Sequence, residues 1–251
     1  MRSRPLRLWL SLALLAATGL APFQASATHT GAALLPDLGM AQLTNFSVER
    51  RPHGARWLRF TTVVVNVGAG PFQVYGHTSQ PNGELRVDQQ IREGLTWTSD
   101  PTPYRMYFAG DGHLHWHLRD LETYELRNAT APNAPPLRTG AKHGFCFFDN
   151  TRYRLSLPGA PQSLVYSRCG FGSADTTVTF GLSVGWGDTY PSHLVDQYID
   201  ISGLPFGEYE ITATADAQNW LLESNDANNG TTAIIRITRK GVTILDPGVG
   251  A

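Results

Sequence analysis

Residues 57–68 read WLRFTTVVVNVG, with Thr61, Thr62, Val63, Val64 and Val65 in succession. Side chains branched at Cβ lose rotamer freedom in a helix and pack well on a pleated surface, so this run favours an extended strand. Shorter runs of similar character follow: FQVYG after Pro71, YEITATAD from Tyr209, and TAIIRITR at residues 232–239. Gly203-Leu204-Pro205 and Asn228-Asn229-Gly230 punctuate the runs as turns. No long stretch carries the helical period. Many short strands separated by turns imply an all-β chain folded as a β-sandwich. Residues 129–136, rich in Ala, Pro and Asn, read as a surface loop.

The N-terminus stands apart. Arg2, Arg4 and Arg7 precede a leucine- and alanine-rich run at residues 8–20, and Ala25-Ser26-Ala27 has the small-x-small form of a cleavage site. This predicts a secretory signal peptide at residues 1–27 and a single domain at residues 28–251. The apolar run is too short for a good membrane span. A secreted or periplasmic protein with no stable membrane insertion is expected. Cleavage removes three arginines and no acids, so the formal net charge of -1 becomes about -4. With no basic stripe, nucleic acid is excluded as the expected partner. Lys142 and Lys240 are the chain's only lysines. Cys146 and Cys169 are its only cysteines, and an even count after export predicts a disulfide.

The densest chemistry lies at residues 113–117, HLHWH. On a strand His113, His115 and His117 share one face, backed by Leu114, Trp116 and Leu118 on the other. Residues two apart on a flat strand are separated by about 6.6–6.8 Å, so one ion reaches all three imidazoles only if the backbone bends. Gly110 and Gly112 could supply that bend. Imidazole suits copper, zinc, iron and nickel. No Cys or Met lies beside the row, which argues against a blue-copper centre. A zinc hydrolase, an iron site and a copper oxidase remain open on spacing alone, as do three solvated histidines on an edge strand.

Further motifs carry a family resemblance. HLHWH is followed by YEL at residues 124–126, GAKHGFC at 140–146, DTY at 188–190 and LLESNDANN at 221–229. In this order the sequence resembles the lysyl oxidases, copper-dependent amine oxidases that make a quinone from their own side chains. LPDL at 35–38, VVVNVGAGPF at 63–72 and LLESNDANN also resemble the opening, middle and close of bacterial immunoglobulin-like adhesion modules, which implies an immunoglobulin-like β-sandwich with long loops, here carrying the copper site. The oxidase resemblance implies copper on His113, His115 and His117. It implies lysine tyrosylquinone formed from Lys142 and Tyr190, and a Cys146–Cys169 pair. Tyr198 stands where the family has tryptophan, and Asp111-Gly112 where animal members have histidine and cysteine. Residues 152–187 form a longer loop than in animal members, which implies a different substrate entrance.

The implied reaction converts a primary amine, either a lysine side chain or a small amine or polyamine, to an aldehyde with O2, releasing H2O2 and ammonia. Joining Lys142 to the oxidised Tyr190 ring needs the neutral amine. An ordinary lysine pKa is about 10.4, so a desolvated pocket is expected there. In copper-free protein the two residues are expected to be unlinked, with the reaction drawing them together. Asp188, two residues before Tyr190, is the candidate general base; it reads equally as a turn residue after Gly187. His143 and His193 flank the cofactor positions, Lys240 reads as solvated, and Trp116 as core. The alternative is a non-catalytic metal- or ligand-binding sandwich on a degenerate oxidase frame, and a third reading is a different metalloenzyme using the same histidines. Neither needs both Lys142 and Tyr190.

Overall fold

The computed structural model of the chain describes residues 32–110 and 114–251. The expected signal peptide lies outside the described residues, as does His113. Among the described residues the structure is nearly all β, with one 3-10 turn at Pro52–Gly54. No helix among them is long and apolar enough to cross a membrane.

The expected strands form. Residues 57–68 lie largely in the strand Arg56–Asn66, and the other three runs give Phe72–His77, Gly207–Ala215 and Gly230–Thr238. Residues 129–136 carry no strand. Three elements are less obvious in the sequence. Leu85–Glu93 is largely polar, Thr96–Phe108 contains Pro101 and Pro103, and Thr177–Leu182 falls inside the segment read as a long loop, which is therefore not all loop.

The strands make three antiparallel sheets. A seven-stranded sheet runs Gly144–Phe145, Trp116–Arg119, Thr96–Phe108, Leu85–Glu93, Phe72–His77, Thr177–Leu182, with Ala33–Leu34 added to Leu85–Glu93. A six-stranded sheet is built around Arg56–Asn66, which pairs with Leu38–Met40, Thr44–Arg50, Trp186–Tyr190 and Tyr198–Asp200. A five-stranded sheet runs Arg138–Thr139, Glu122–Asn128, Gly207–Ala215, Gly230–Thr238, Gly241–Asp246.

Burial follows these positions. Phe72–His77 and Gly207–Ala215 alternate between buried and half-exposed, as strands with one covered face do. Arg56–Asn66 is buried along most of its length. The core gathers Leu58, Phe60, Trp116, Tyr124, Phe145, Phe147 and Ile199 into one cluster.

One short segment touches all three sheets. Gly140 donates its backbone N–H to the Tyr124 carbonyl at 2.8 Å and bridges to Ile199. Ala141 donates to the Tyr198 carbonyl at 2.9 Å. Gly144 and Phe145 pair with Arg119 and Leu118. Lys142 therefore stands where the sheets meet. Cys146, next along, is disulfide-bonded to Cys169, as the cysteine count predicted.

Candidate active site

The histidine row is not one flat strand. Strand pairing begins only at Trp116, and Leu114 has a left-handed backbone (φ 50°) and an exposed side chain. The bend that the spacing argument requires falls at Leu114, in addition to whatever the glycines before it provide. Beyond it His115 and His117 converge, with Nε2 of one 2.8 Å from Nε2 of the other and ring centroids 4.6 Å apart. Two nitrogens bound to one ion at about 2.0–2.1 Å stand about 3 Å apart, so this pair fits a shared metal. Neutral imidazoles, one donating and one accepting, satisfy the same contact. Among the described residues no third ligand completes a metal-binding group; His113 lies outside them.

His117 is buried, with its ring edge-on to Tyr107 (centroids 5.6 Å apart) and lying over Gly144. A Cβ on Gly144 would come within 2.5 Å of His117 Nδ1. Only glycine leaves room for that imidazole.

Lys142 and Tyr190 face one another. Lys142 is 7% exposed and Tyr190 6%. Lys142 Nζ lies 4.9 Å from the centroid of the Tyr190 ring and 5.1 Å from that of Phe145. The two side chains are thus within contact range of one another. Phe145 and Phe147 stand edge-on to Tyr190 at 5.3 and 6.3 Å. The Tyr190 hydroxyl donates to the Cys146 carbonyl at 3.0 Å. Burial, with the negative charges of Asp188 and Glu122 nearby, pushes its pKa well above the usual tyrosine value.

Asp188 is buried in the same strand, beside Tyr190. It accepts a hydrogen bond from the Asn150 amide. Burial drives its pKa well above the ordinary carboxylate range, against the lowering effects of Tyr190, Asn150 and Lys142. Trp116 is buried in the core and Lys240 is exposed, as read from the sequence; His193, read as flanking the cofactor position, is exposed. His143 is exposed and bonds Asp120 through Nδ1 at 2.6 Å.

A second group of polar side chains went unnoticed in the sequence. Glu122, wholly enclosed, accepts from the Tyr124 hydroxyl at 2.9 Å and from the Thr62 hydroxyl at 3.4 Å. Thr62 and Tyr124 oxygens are 3.1 Å apart, and Gln197 reaches both hydroxyls at 3.4 Å. Tyr124 belongs to the YEL motif. The signal for Glu122 was weak, because a glutamate starting an alternating strand reads as solvated. A cleft of about 490 Å3 opens here, its lining including Asp120, Glu122, Glu125, Gly140, Lys142 and His143.

Comparison with known proteins places this arrangement. The chain is similar to lysyl oxidase homolog 1 of Homo sapiens, 29% identical over 167 residues, which cover 63% of this chain and 25% of that protein. It is similar to the protein-lysine 6-oxidase of Rattus norvegicus, 28% identical over 162 residues, covering 61% of this chain and 34% of that one. For the protein-lysine 6-oxidase of Sus scrofa the share covered is 57%. The chain thus spans between a quarter and somewhat over half of the length of these relatives. The lysyl oxidase family model matches residues 79–246. That match takes in more than half of the sequence, including the histidine pair, Lys142 and Tyr190, and on it the chain belongs to the lysyl oxidase family.

Proposed function

We propose that the chain is an exported copper-dependent amine oxidase. It converts primary amines, lysine side chains or small amines and polyamines, to aldehydes with O2 and water and releases H2O2 and ammonia. The observation that carries this reading is the buried Lys142 amine resting on the ring of Tyr190 beside an acid-lined cleft. Copper on His113, His115 and His117 would supply the redox chemistry with O2, and lysine tyrosylquinone from Lys142 and Tyr190 would supply the electrophile that captures the amine.

This chain's own side chains do the rest. Asp120, Glu122 and Glu125 line the cleft and favour a cationic amine over a neutral or anionic one. Phe145 and Phe147 wall the Tyr190 ring on its edges and exclude water from it. The hydrogen bond from the Tyr190 hydroxyl to Cys146 O fixes the ring's direction. Asp188, beside that hydroxyl, helps to hold the phenol in its protonated form until the ring is oxidised. Lys142 offers its amine to the same ring.

The test is a panel of primary amines with a peroxide readout, run on copper-loaded, aerobically produced protein, together with redox-cycling stain for a bound quinone. Peroxide formation and a stained band are expected. A colourless, peroxide-free protein with copper bound overturns the reading in favour of a binding module.

A further inference from the structure

We infer that Glu122 is the proton acceptor for the substrate, taking the proton from the carbon that bears the amine nitrogen. The inference rests on the amine-oxidase reading above. In this step the C–H bond breaks and its proton goes to the Glu122 carboxylate. The electron pair goes to the oxidised Tyr190-derived ring, which is reduced as the amine carbon is oxidised. O2 later takes two electrons and two protons and leaves as H2O2.

The placement of Glu122 argues for this role. It begins the strand Glu122–Asn128 and lines the same cleft as Lys142, so an amine entering that cleft meets both. One carboxylate oxygen, Oε2, is held by the Tyr124 and Thr62 hydroxyls. The other, Oε1, is enclosed and has no hydrogen-bond partner among the described residues. A carboxylate clamped through one oxygen presents the other in a fixed direction. Asp188 is as deeply buried, with one oxygen held by the Asn150 amide and the other without a hydrogen-bond partner among the described residues, but it is not part of the cleft lining.

The electrostatics agree. Burial pushes the Glu122 pKa up to about 7, opposed by the Tyr124 hydroxyl, the Lys142 charge and the Thr62 hydroxyl. Once Lys142 has been joined to the ring its ammonium charge is gone, and one of those opposing effects goes with it. An acceptor whose pKa lies near the working pH is the efficient kind.

The experiment compares the copper-loaded wild type with Glu122→Gln. Phenylhydrazine titration first counts reactive quinone. Benzylamine is then added without O2, and bleaching of the quinone absorbance is timed, with α,α-dideuterated benzylamine in parallel. The variant is expected to bind phenylhydrazine in the wild-type amount yet to bleach about 10²–10⁴-fold more slowly, limited by C–H cleavage. A structural role for Glu122 would instead lower the quinone content and leave the rate per quinone unchanged. Bleaching at the wild-type rate per quinone overturns the inference alone. A wild type that never reacts with phenylhydrazine overturns the amine-oxidase reading and this inference with it. Should Glu122→Gln form no quinone, Glu122→Asp replaces it: a slower rate with a primary isotope effect supports the role, and an unchanged rate overturns it.

Discussion

A lysine ammonium on the faces of two buried rings recovers, through the ring quadrupoles, up to about 2 kcal/mol of what it loses in hydration. Lys142 has that position over Tyr190 and Phe145. Arginine would keep the charge and the stacking, but its guanidinium does not surrender a proton and cannot act as an amine nucleophile. Lys142→Arg is therefore expected to leave copper content near that of the parent and to abolish amine oxidation. Peptide mapping should recover the peptides of residues 142 and 190 separately; a cross-linked product in the variant contradicts the assignment. His115 supports a second expectation. Its Nε2 faces that of His117, and its side chain is only half-buried. His115→Ala should thus lose copper, by at least tenfold in affinity, while the metal-free protein melts within a few degrees of the parent. Elemental analysis and a thermal melt separate the two effects, and unchanged copper binding would remove His115 from the ligand set. Lys142 was readable because GAKHGFC resembles the family's lysine motif; the scarcity of lysine alone does not separate it from Lys240. Glu122 was not, because its burial comes from the meeting of sheets and not from anything within LETYEL.

At the scale of elements, residues 140–145 do the positioning. Their backbone is fixed by the Tyr124 and Tyr198 carbonyls on one side of Lys142 and by pairing with residues 118 and 119 on the other. Gly144 is the sensitive point. A methyl group there would stand 2.2 Å from Tyr107 Oη and 2.5 Å from His117 Nδ1, well inside contact distance. Gly144→Ala must push the His117 ring aside or open the strand pair, at a cost of about 1–3 kcal/mol. A weaker copper affinity with only a modest fall in stability is expected, readable by competitive metal titration. Affinity equal to the parent would mean that the ring relaxes without leaving its place. The β-branched runs were legible as strands because their signal is local. Thr96–Phe108 was hidden by its two prolines, which ordinarily count against a strand interior. The histidine row was conspicuous in the sequence, but not the turn at Leu114, since a left-handed leucine has no sequence signature.

At the scale of the whole molecule, folding raises the proton affinity of several buried carboxyl groups. Three sheets closing on one core bury Glu122 and Glu223 at different places. The number of sheets was not legible, because strand patterning tells which face is buried and not which partner covers it. Glu223 accepts from the Leu38 backbone N–H and the Asn229 side-chain amide, tying the LLESNDANN segment to the strand Leu38–Met40. Burial raises its pKa to about 8, and that of Glu122 to about 7, from 4.5. A carboxyl with a raised folded-state pKa contributes stability that is complete below the unfolded value and is lost as pH climbs through the folded value. The folded chain therefore binds more protons than the unfolded chain between about pH 4.5 and 8, and unfolding free energy falls with rising pH across that window. Asp188 and Asp216, also raised by burial, act in the same sense. Glu49 and Asp200, which are lowered, lie near the surface and oppose it weakly. Urea melts of copper-free protein at pH 5, 6.5 and 8 should give steadily falling midpoints. Glu223→Gln, which keeps the acceptor oxygen but cannot ionise, should flatten the decline above pH 6.5 more than Glu122→Gln does, because its pKa is the higher. Midpoints that stay level or rise toward pH 8 would show that these carboxyls fold in their charged form.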